Sequence, residues 1–316
     1  MSSRQLPPGG IPTWALYLAT VATGGLTWFV TTYQLGIVPY RLSLAYRFGI
    51  SAAVLLLLAR ATGAVTRLRA MDHVLVALQG GLIFLGSFSL IYLGLARLTS
   101  GLVALLFSSV LIFNVVNSAV FLRRRIAWTV VAGAGLGALG LAVVFGPEAA
   151  TLTLGDRRAV GILLVVGAAA LFSAGNMLSA RLQAAGVPSL QGTGLAMAYG
   201  AVLLAATAAA MGTPLAFDLS LPYLASLLYL AVFGSVIGYG AYFMVVGRIG
   251  PERAAYSIVM TPVFALVVST ALEGFAWSPR ILAGVAIVAA GNVVILSRTR
   301  SRTAGPRGGE GHDRDL

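Results

Sequence analysis

The stretch VLVALQGGLIFLGSFSLIYLGLA, residues 74–96, runs for 23 residues without a charged side chain. An α-helix rises about 1.5 Å per residue, so a helix of this length crosses the roughly 30 Å hydrocarbon core of a bilayer. The stretch therefore predicts a transmembrane helix. The fold class then depends on how many similar stretches surround it.

Apolar runs of the same kind continue on both sides, separated by short polar breaks. The expected spans are residues 14–35, 40–59, 74–96, 101–121, 127–145, 160–182, 190–211, 222–246, 254–272 and 280–296. Of the 316 residues, 59% are hydrophobic and 9% are charged, whereas about a quarter of the residues in a soluble domain are charged. The mean hydropathy of +0.93 agrees with this count. The composition excludes a water-soluble fold and predicts an all-α integral membrane protein.

The second half of the chain repeats the first half at a constant spacing of 151 residues, and all five spans superimpose without a gap. Identical residues at equivalent positions include Arg97/Arg248, Phe113/Phe264, Ser118/Ser269, Gly133/Gly284 and Gly140/Gly291. An odd number of spans per repeat forces the second repeat to insert upside down, and solute sites in such proteins lie near the midplane between the repeats. We therefore expect ten transmembrane helices in two inverted five-helix repeats, residues 1–150 and 151–296. The polar residues 297–316 are expected to be a disordered tail.

The basic residues are all Arg, and they are distributed unevenly between the two sides of the predicted membrane. Fifteen of the 21 fall on the side that carries both termini. Because Arg and Lys accumulate on the cytoplasmic side, both termini are expected to be cytoplasmic, in a multi-pass protein of a bacterial inner membrane. The net charge of +12 is then explained by contact with anionic membrane lipids. No basic patch interleaved with aromatic residues lies outside the spans, so nucleic acid is not expected as a partner.

Catalytic chemistry has few candidate residues in this chain. There is no Cys, and the two His residues, His73 and His312, are too far apart for metal-ligand spacing. All nine Asp and Glu residues fall in loops, the tail or span edges. We therefore expect no cofactor, no metal and no enzymatic activity. A membrane scaffold or receptor without transport activity, and less favourably an intramembrane enzyme, are the alternatives to a transporter.

The sequence resembles the drug/metabolite transporter superfamily, specifically its EamA-type ten-helix transporters, over about residues 14–296. The resemblance is carried by Tyr46, Arg47 and Phe48 before Leu55–Leu58, by Thr261, Pro262, Val263 and Phe264, and by Glu273. It implies a secondary transporter that exports amino acids or related metabolites by alternating access around a midplane cavity. The partner it implies is a small-molecule solute, while the oligomeric state is left open and a monomer is consistent with the sequence.

Two patterns predict where the solute binds. Thr20, Thr23, Thr27, Thr31 and Gln34 lie on one face of the first helix. Aromatic residues at Phe88/Tyr239 and Tyr92/Phe243 are related by the 151-residue spacing, so they are expected to meet across the pseudo-twofold axis. The candidate solute-binding residues are Thr27, Trp28, Thr31, Phe88, Tyr92, Asn114, Ser173, Asn176, Tyr239, Tyr242, Phe243, Tyr256 and Met260.

Each of these patterns also has a purely structural interpretation. Threonine hydroxyls can bond to carbonyls of their own helix, and the aromatic residues and amides can serve ordinary helix packing. Arg47 is the one charged residue expected well inside a span. Its guanidinium either binds a solute carboxylate or has a structural role. In the structural case it bonds to another protein group, or the long side chain extends to the polar interface of the membrane.

Overall fold

The structure is a computed structural model that describes residues 11–36, 38–122, 128–150 and 156–297. Within these ranges the chain forms ten helical segments and no strands. In chain order they are α1 Thr13–Val30, α2 Tyr40–Ala61, α3 Ala70–Leu95, α4 Ser100–Phe121, α5 Trp128–Ala150, α6 Arg157–Ala184, α7 Ser189–Ala210, α8 Leu221–Ile249, α9 Pro251–Glu273 and α10 Pro279–Ser297. Helices α2, α3, α4, α6, α7 and α8 are long and apolar enough to cross a membrane, and α5 and α10 contain shorter apolar helical stretches. The all-α membrane fold expected from the sequence is confirmed, whereas the predicted disordered tail lies almost entirely outside the described residues.

Local signals explain several of the helix ends. The Asp156 side chain accepts a hydrogen bond from the Arg158 amide at 2.9 Å, which caps the start of α6. Gly250, at φ +91°, separates α8 from α9, and Pro251 occupies the first turn of α9, where its missing amide hydrogen costs nothing. Helix α9 ends at Gly274, whose φ of +66° is a left-handed conformation that glycine adopts without strain.

Helices α3 and α8 each contain a π-helical segment, at Gly81–Ser87 and Leu230–Tyr239 respectively. The 151-residue spacing places 81–87 on 232–238, so the two segments occupy equivalent positions in the two repeats. In α8 the Ser235 hydroxyl donates to the Leu230 carbonyl, five residues earlier, at 2.9 Å. A π-helical segment rotates the side chains that follow it about the helix axis. Such segments are frequent at functional sites.

The contact between α5 and α10 reveals the relative direction of the two repeats. A Cβ atom on Gly140 would lie 2.6 Å from the Gly284 carbonyl oxygen, and one on Gly291 would lie 2.7 Å from the Gly133 carbonyl oxygen. Residue numbers rise along α5 as they fall along α10, so the two helices are antiparallel. Because α5 and α10 are equivalent by the 151-residue spacing, this is the arrangement that an inverted repeat requires.

The remaining helix contacts follow the same symmetry. Helix α2 packs on its equivalent α7, and α4 packs on its equivalent α9. Helix α1 packs on α8 and α9, and its equivalent α6 packs on α3 and α4. The centre of the molecule is therefore enclosed by α1, α3, α4, α6, α8 and α9, with three helices from each repeat.

Candidate functional site

A cavity with about 580 Å³ of empty space, including the part continuous with its opening, lies at this centre. Its walls come from α1, α2, α3, α4, α8 and α9. The lining residues are Thr20, Thr23, Gly24, Thr27, Trp28, Thr31, Arg47, Phe88, Ile91, Tyr92, Phe107, Gly234, Gly238, Tyr239, Tyr242 and Thr261. Aromatic rings and threonine side chains dominate this lining, and its described residues include a single Arg and no Asp or Glu.

The candidate residues from the sequence fall into three groups. Seven of them line this cavity: Thr27, Trp28, Thr31, Phe88, Tyr92, Tyr239 and Tyr242. Four others are not among its lining residues: Asn114, Ser173, Asn176 and Phe243. Tyr256 and Met260 lie in α9, but their side chains are outside the described part of the chain. The structure adds Phe107 and Ile91, for which no pattern in the sequence gave a signal, and Thr261, which belongs to the stretch that carries the family resemblance, together with three glycines.

Of the two aromatic pairs related by the repeat, Phe88 and Tyr239 contact each other in the structure, whereas no ring contact joins Tyr92 and Phe243 among the described residues. The rings of Phe88 and Tyr239 are 5.5 Å apart, centroid to centroid, at an interplanar angle of 82°. This edge-to-face arrangement is a favourable one for aromatic pairs. On the α1 side of the cavity, Trp28 contacts Phe107 of α4 with centroids 5.3 Å apart. Aromatic contacts thus join α3 to α8 and α1 to α4 around the cavity.

The threonine hydroxyls of α1 bond to their own helix. Thr20, Thr23, Thr27 and Thr31 each donate to the carbonyl oxygen four residues earlier, at distances of 2.9, 2.8, 2.6 and 2.7 Å. A hydroxyl has one hydrogen to donate, so each oxygen retains only acceptor capacity. All four residues also line the cavity. These threonine hydroxyls therefore bond to carbonyls of their own helix, as the structural interpretation expects. The same bonds leave oxygen atoms facing the cavity that can only accept hydrogen bonds.

Arg47 is 1% exposed and lines the cavity from α2. Its Nε donates to the Ser235 hydroxyl at 3.0 Å, and its guanidinium lies 5.3 and 5.2 Å from the ring centroids of Phe48 and Phe88. The Tyr92 hydroxyl lies beside the guanidinium and interacts with it, but the contact does not reach the geometry of a full hydrogen bond. Nη1 and Nη2 have no hydrogen-bond partner among the residues that the structure describes.

This arginine is energetically unfavourable as it stands. A charged side chain at the centre of a membrane helix costs about 2.5 to 3.5 kcal/mol on insertion scales. Such charges are normally paired, and unsatisfied buried donors add a desolvation cost. Ring contacts and one neutral hydrogen bond compensate only part of this cost. A group that accepts from Nη1 and Nη2 inside the cavity would stabilise the site.

The side-chain amides of Asn114, Asn117 and Asn176 donate hydrogen bonds to protein groups. Asn176 of α6 donates to the Tyr242 hydroxyl at 2.8 Å and to the Asn114 side-chain oxygen at 3.2 Å. Asn114 donates to the Pro251 carbonyl at 3.2 Å, and Asn117 donates to the Ser173 hydroxyl at 2.8 Å. These bonds connect α4, α6, α8 and the start of α9. Since Tyr242 lines the cavity, the amides fix one of its walls from behind.

Comparison with known proteins gives three kinds of similarity. The model of the EamA-like transporter family matches residues 159–297. A protein of Streptantibioticus cattleyicolor named as a probable terminal-alkyne amino-acid exporter is 29% identical over 251 residues, covering 79% of this chain and 82% of the relative. An uncharacterized transporter of Archaeoglobus fulgidus is 24% identical over 218 residues, covering 65% of this chain and 71% of the relative.

A solved crystal structure, described only as that of a protein, has a TM-score of 0.70 and 21% sequence identity to this chain. The similarity covers 93% of this chain and 99% of the solved one. At this identity the likeness concerns the fold alone.

Proposed function

We propose that this chain, a membrane transporter of the EamA-like transporter family, moves small organic solutes by alternating access. In this proposal the two repeats rock against each other around the central cavity. The solutes are amino acids or related metabolites, and the physiological direction is export. The name of the Streptantibioticus relative supports this choice of solute class.

The observation that carries the proposal is the origin of the cavity walls. Phe88 and Arg47 come from the first repeat, whereas Tyr239 and Thr261 come from the second. A solute bound in such a place contacts both halves, and a movement of one half relative to the other changes the side to which it has access. The mostly apolar lining with a few polar groups is typical of small-molecule sites.

The test is transport by purified protein in liposomes. Liposomes with and without the protein are loaded with a panel of radiolabelled amino acids, and the release of each is followed with time. We expect at least one amino acid to leave the protein-containing liposomes faster. If every solute in the panel leaves both preparations at the same rate, the protein does not transport this class.

We expect both termini to be cytoplasmic in a bacterial inner membrane, because 15 of the 21 Arg residues lie on the side of the termini. The measurement fuses to the C-terminus either a fluorescent protein that folds only in the cytoplasm or a phosphatase that is active only in the periplasm. Fluorescence without phosphatase activity is the expected result. The reverse pattern would show that the orientation is wrong.

We also expect transport without a proton-carrying carboxylate in the cavity, because no Asp or Glu is among its described lining residues. Proton relays normally place an acidic group or a His within the bundle. Glu273, at the end of α9, accepts instead from the Ser100 hydroxyl at 2.7 Å and from the Ser100 amide at 3.1 Å. Solute exchange in liposomes should therefore proceed at the same rate with and without a protonophore. A rate that depends strictly on a proton gradient, and is lost on one acidic substitution, would contradict this expectation.

A further inference from the structure

We infer that Arg47 and Thr27 together bind the charged head of an α-amino acid, with the carboxylate on Arg47 and the ammonium group on the Thr27 hydroxyl. This deepens the proposed transport function and rests on it for the premise that a small solute enters the cavity. The apolar side chain of the solute then lies against the aromatic residues of the lining.

The carboxylate position follows from the free donors of Arg47. Nη1 and Nη2 are buried and lack hydrogen-bond partners among the described residues, and Arg47 lines the cavity. The Nε bond to the Ser235 hydroxyl fixes one edge of the guanidinium. The two terminal nitrogens of a guanidinium are spaced to donate in parallel to the two oxygens of a carboxylate. Among the lining residues that the structure describes, no Asp or Glu competes for them.

The ammonium position follows from the acceptor-only hydroxyls of α1. Thr27 donates its hydrogen to the Thr23 carbonyl at 2.6 Å, so its oxygen can only accept a further hydrogen bond. Thr27 Oγ1 and Arg47 Nη2 lie next to the same residue, Gly234, each 3.2 Å from the point where a Cβ on this glycine would stand. A cationic donor and a neutral acceptor are therefore close together. The carboxylate and ammonium of an α-amino acid are attached to one carbon, so both are recognised best by groups that lie close together.

The solute side chain is expected to be apolar or aromatic. Beyond this pair the cavity presents Trp28, Phe88, Phe107 and Tyr239, and its lining within the described ranges has no side-chain amide and no acid. Burying a polar side chain against these rings would leave that side chain without partners, which weakens binding. Leucine and phenylalanine fit this description.

The experiment measures binding to the detergent-purified full-length protein, by displacement of radiolabelled L-leucine in a scintillation proximity assay and by ligand-induced thermal stabilisation. The probes are L-leucine, L-phenylalanine, 3-phenylpropionate, which lacks the ammonium group, and phenethylamine, which lacks the carboxylate. We expect phenethylamine to bind about 10- to 100-fold more weakly than L-phenylalanine, because it loses a charge-assisted contact. This comparison uses the unmodified protein.

Two variants test which residue binds the carboxylate of the solute and which binds its ammonium group. We expect Arg47→Gln to weaken L-phenylalanine and 3-phenylpropionate by about 10- to 100-fold. Thr27→Val keeps the shape of the side chain and is expected to weaken L-phenylalanine several-fold, while leaving 3-phenylpropionate unchanged. Arg60→Gln, at the exposed end of the same helix α2, is the matched control and should leave all affinities unchanged. If Arg47→Gln does not fold, Arg47→Lys and the probe comparison on the unmodified protein take its place.

The inference is overturned if phenethylamine binds as tightly as L-phenylalanine, if Arg47→Gln retains full affinity, or if neither amino acid binds at tens of millimolar. Its failure is distinct from that of the proposed function. If amino acid flux in liposomes persists in Arg47→Gln, the role assigned to Arg47 is wrong, but the protein is still a transporter. If binding depends on the carboxylate but no flux is measured, the transport function is wrong, but the binding site is still correct.

Discussion

Leucine in place of Gly140 or Gly291 is expected to prevent the protein from reaching its folded state. At both positions a Cβ atom alone would lie 2.6 to 2.7 Å from a backbone carbonyl of the opposing helix. Backbone atoms cannot rotate away as a side chain can, so α5 and α10 would have to separate. One extra methylene in a packed core already costs about 1 to 3 kcal/mol, and leucine adds a branched chain of four carbons where no space exists.

The measurement is the yield of monodisperse protein in detergent, together with its thermal midpoint. The matched control is Gly135→Leu on the same helix, because Gly135 is exposed and a Cβ there meets nothing within 4 Å. We expect the control to keep the yield of the unmodified protein. Normal yield and thermal midpoint for Gly140→Leu and Gly291→Leu would mean that α5 and α10 do not pack as described.

The fold was predictable because the bilayer permits few alternatives. A long apolar run in lipid has to satisfy its backbone groups internally, and a helix does this within a single segment. Each of the ten expected spans accordingly lies on a helix of the described residues, and six of these helices are long and apolar enough to cross a membrane. The 151-residue spacing, with Gly133/Gly284 and Gly140/Gly291 among its identities, also indicated which helices would be equivalent. These four glycines form the two α5–α10 contacts that make the opposite direction of the repeats visible.

The irregular parts of the helices were not predictable in the same way. The π-helical segments at Gly81–Ser87 and Leu230–Tyr239 have no distinctive residue pattern, because they differ from α-helix only in which carbonyl each amide reaches. Helix α4 is interrupted at Ser108 and Ser109, and this break was not predictable either, since both residues are compatible with a continuous helix.

The candidate site was predictable where the symmetry of the repeat determines it. The contact between Phe88 and Tyr239 follows from their equivalence, and the α1 stripe follows from helical periodicity. The orientation of Arg47 does not follow from either pattern, because a long side chain can reach an interface or the interior from the same position. The partners of Asn114 and Asn176 depend on tertiary contacts between helices, so the sequence left both a solute and another helix open as partners.

Alanine in place of Tyr239 is expected to reduce the affinity for aromatic solutes by about tenfold or more, while tyrosine-to-phenylalanine at the same position retains most of it. Tyr239 lines the cavity, and its ring packs against Phe88 at 5.5 Å and Phe172 at 6.0 Å. If a bound solute covers about 50 Å² of this ring, removing the ring forfeits a little over 1 kcal/mol at about 25 cal/mol per Å², which corresponds to roughly a tenfold loss. Tyr239→Phe preserves the apolar face and removes only the hydroxyl.

Phe233→Ala is the matched control for this substitution, because Phe233 lies in the same helix α8 and is 47% exposed. The measurement is competition of L-phenylalanine and L-leucine for transport in liposomes, with folded yield determined for every variant. Tyr239→Ala should weaken L-phenylalanine more than L-leucine, since the larger ring makes the larger contact, whereas Phe233→Ala should change neither. If Tyr239→Ala folds normally and keeps both the affinity and the preference of the unmodified protein, Tyr239 contributes to helix packing and not to solute binding. The solute-binding wall would then have to be sought on the opposite side of the cavity, at Trp28 and Phe107.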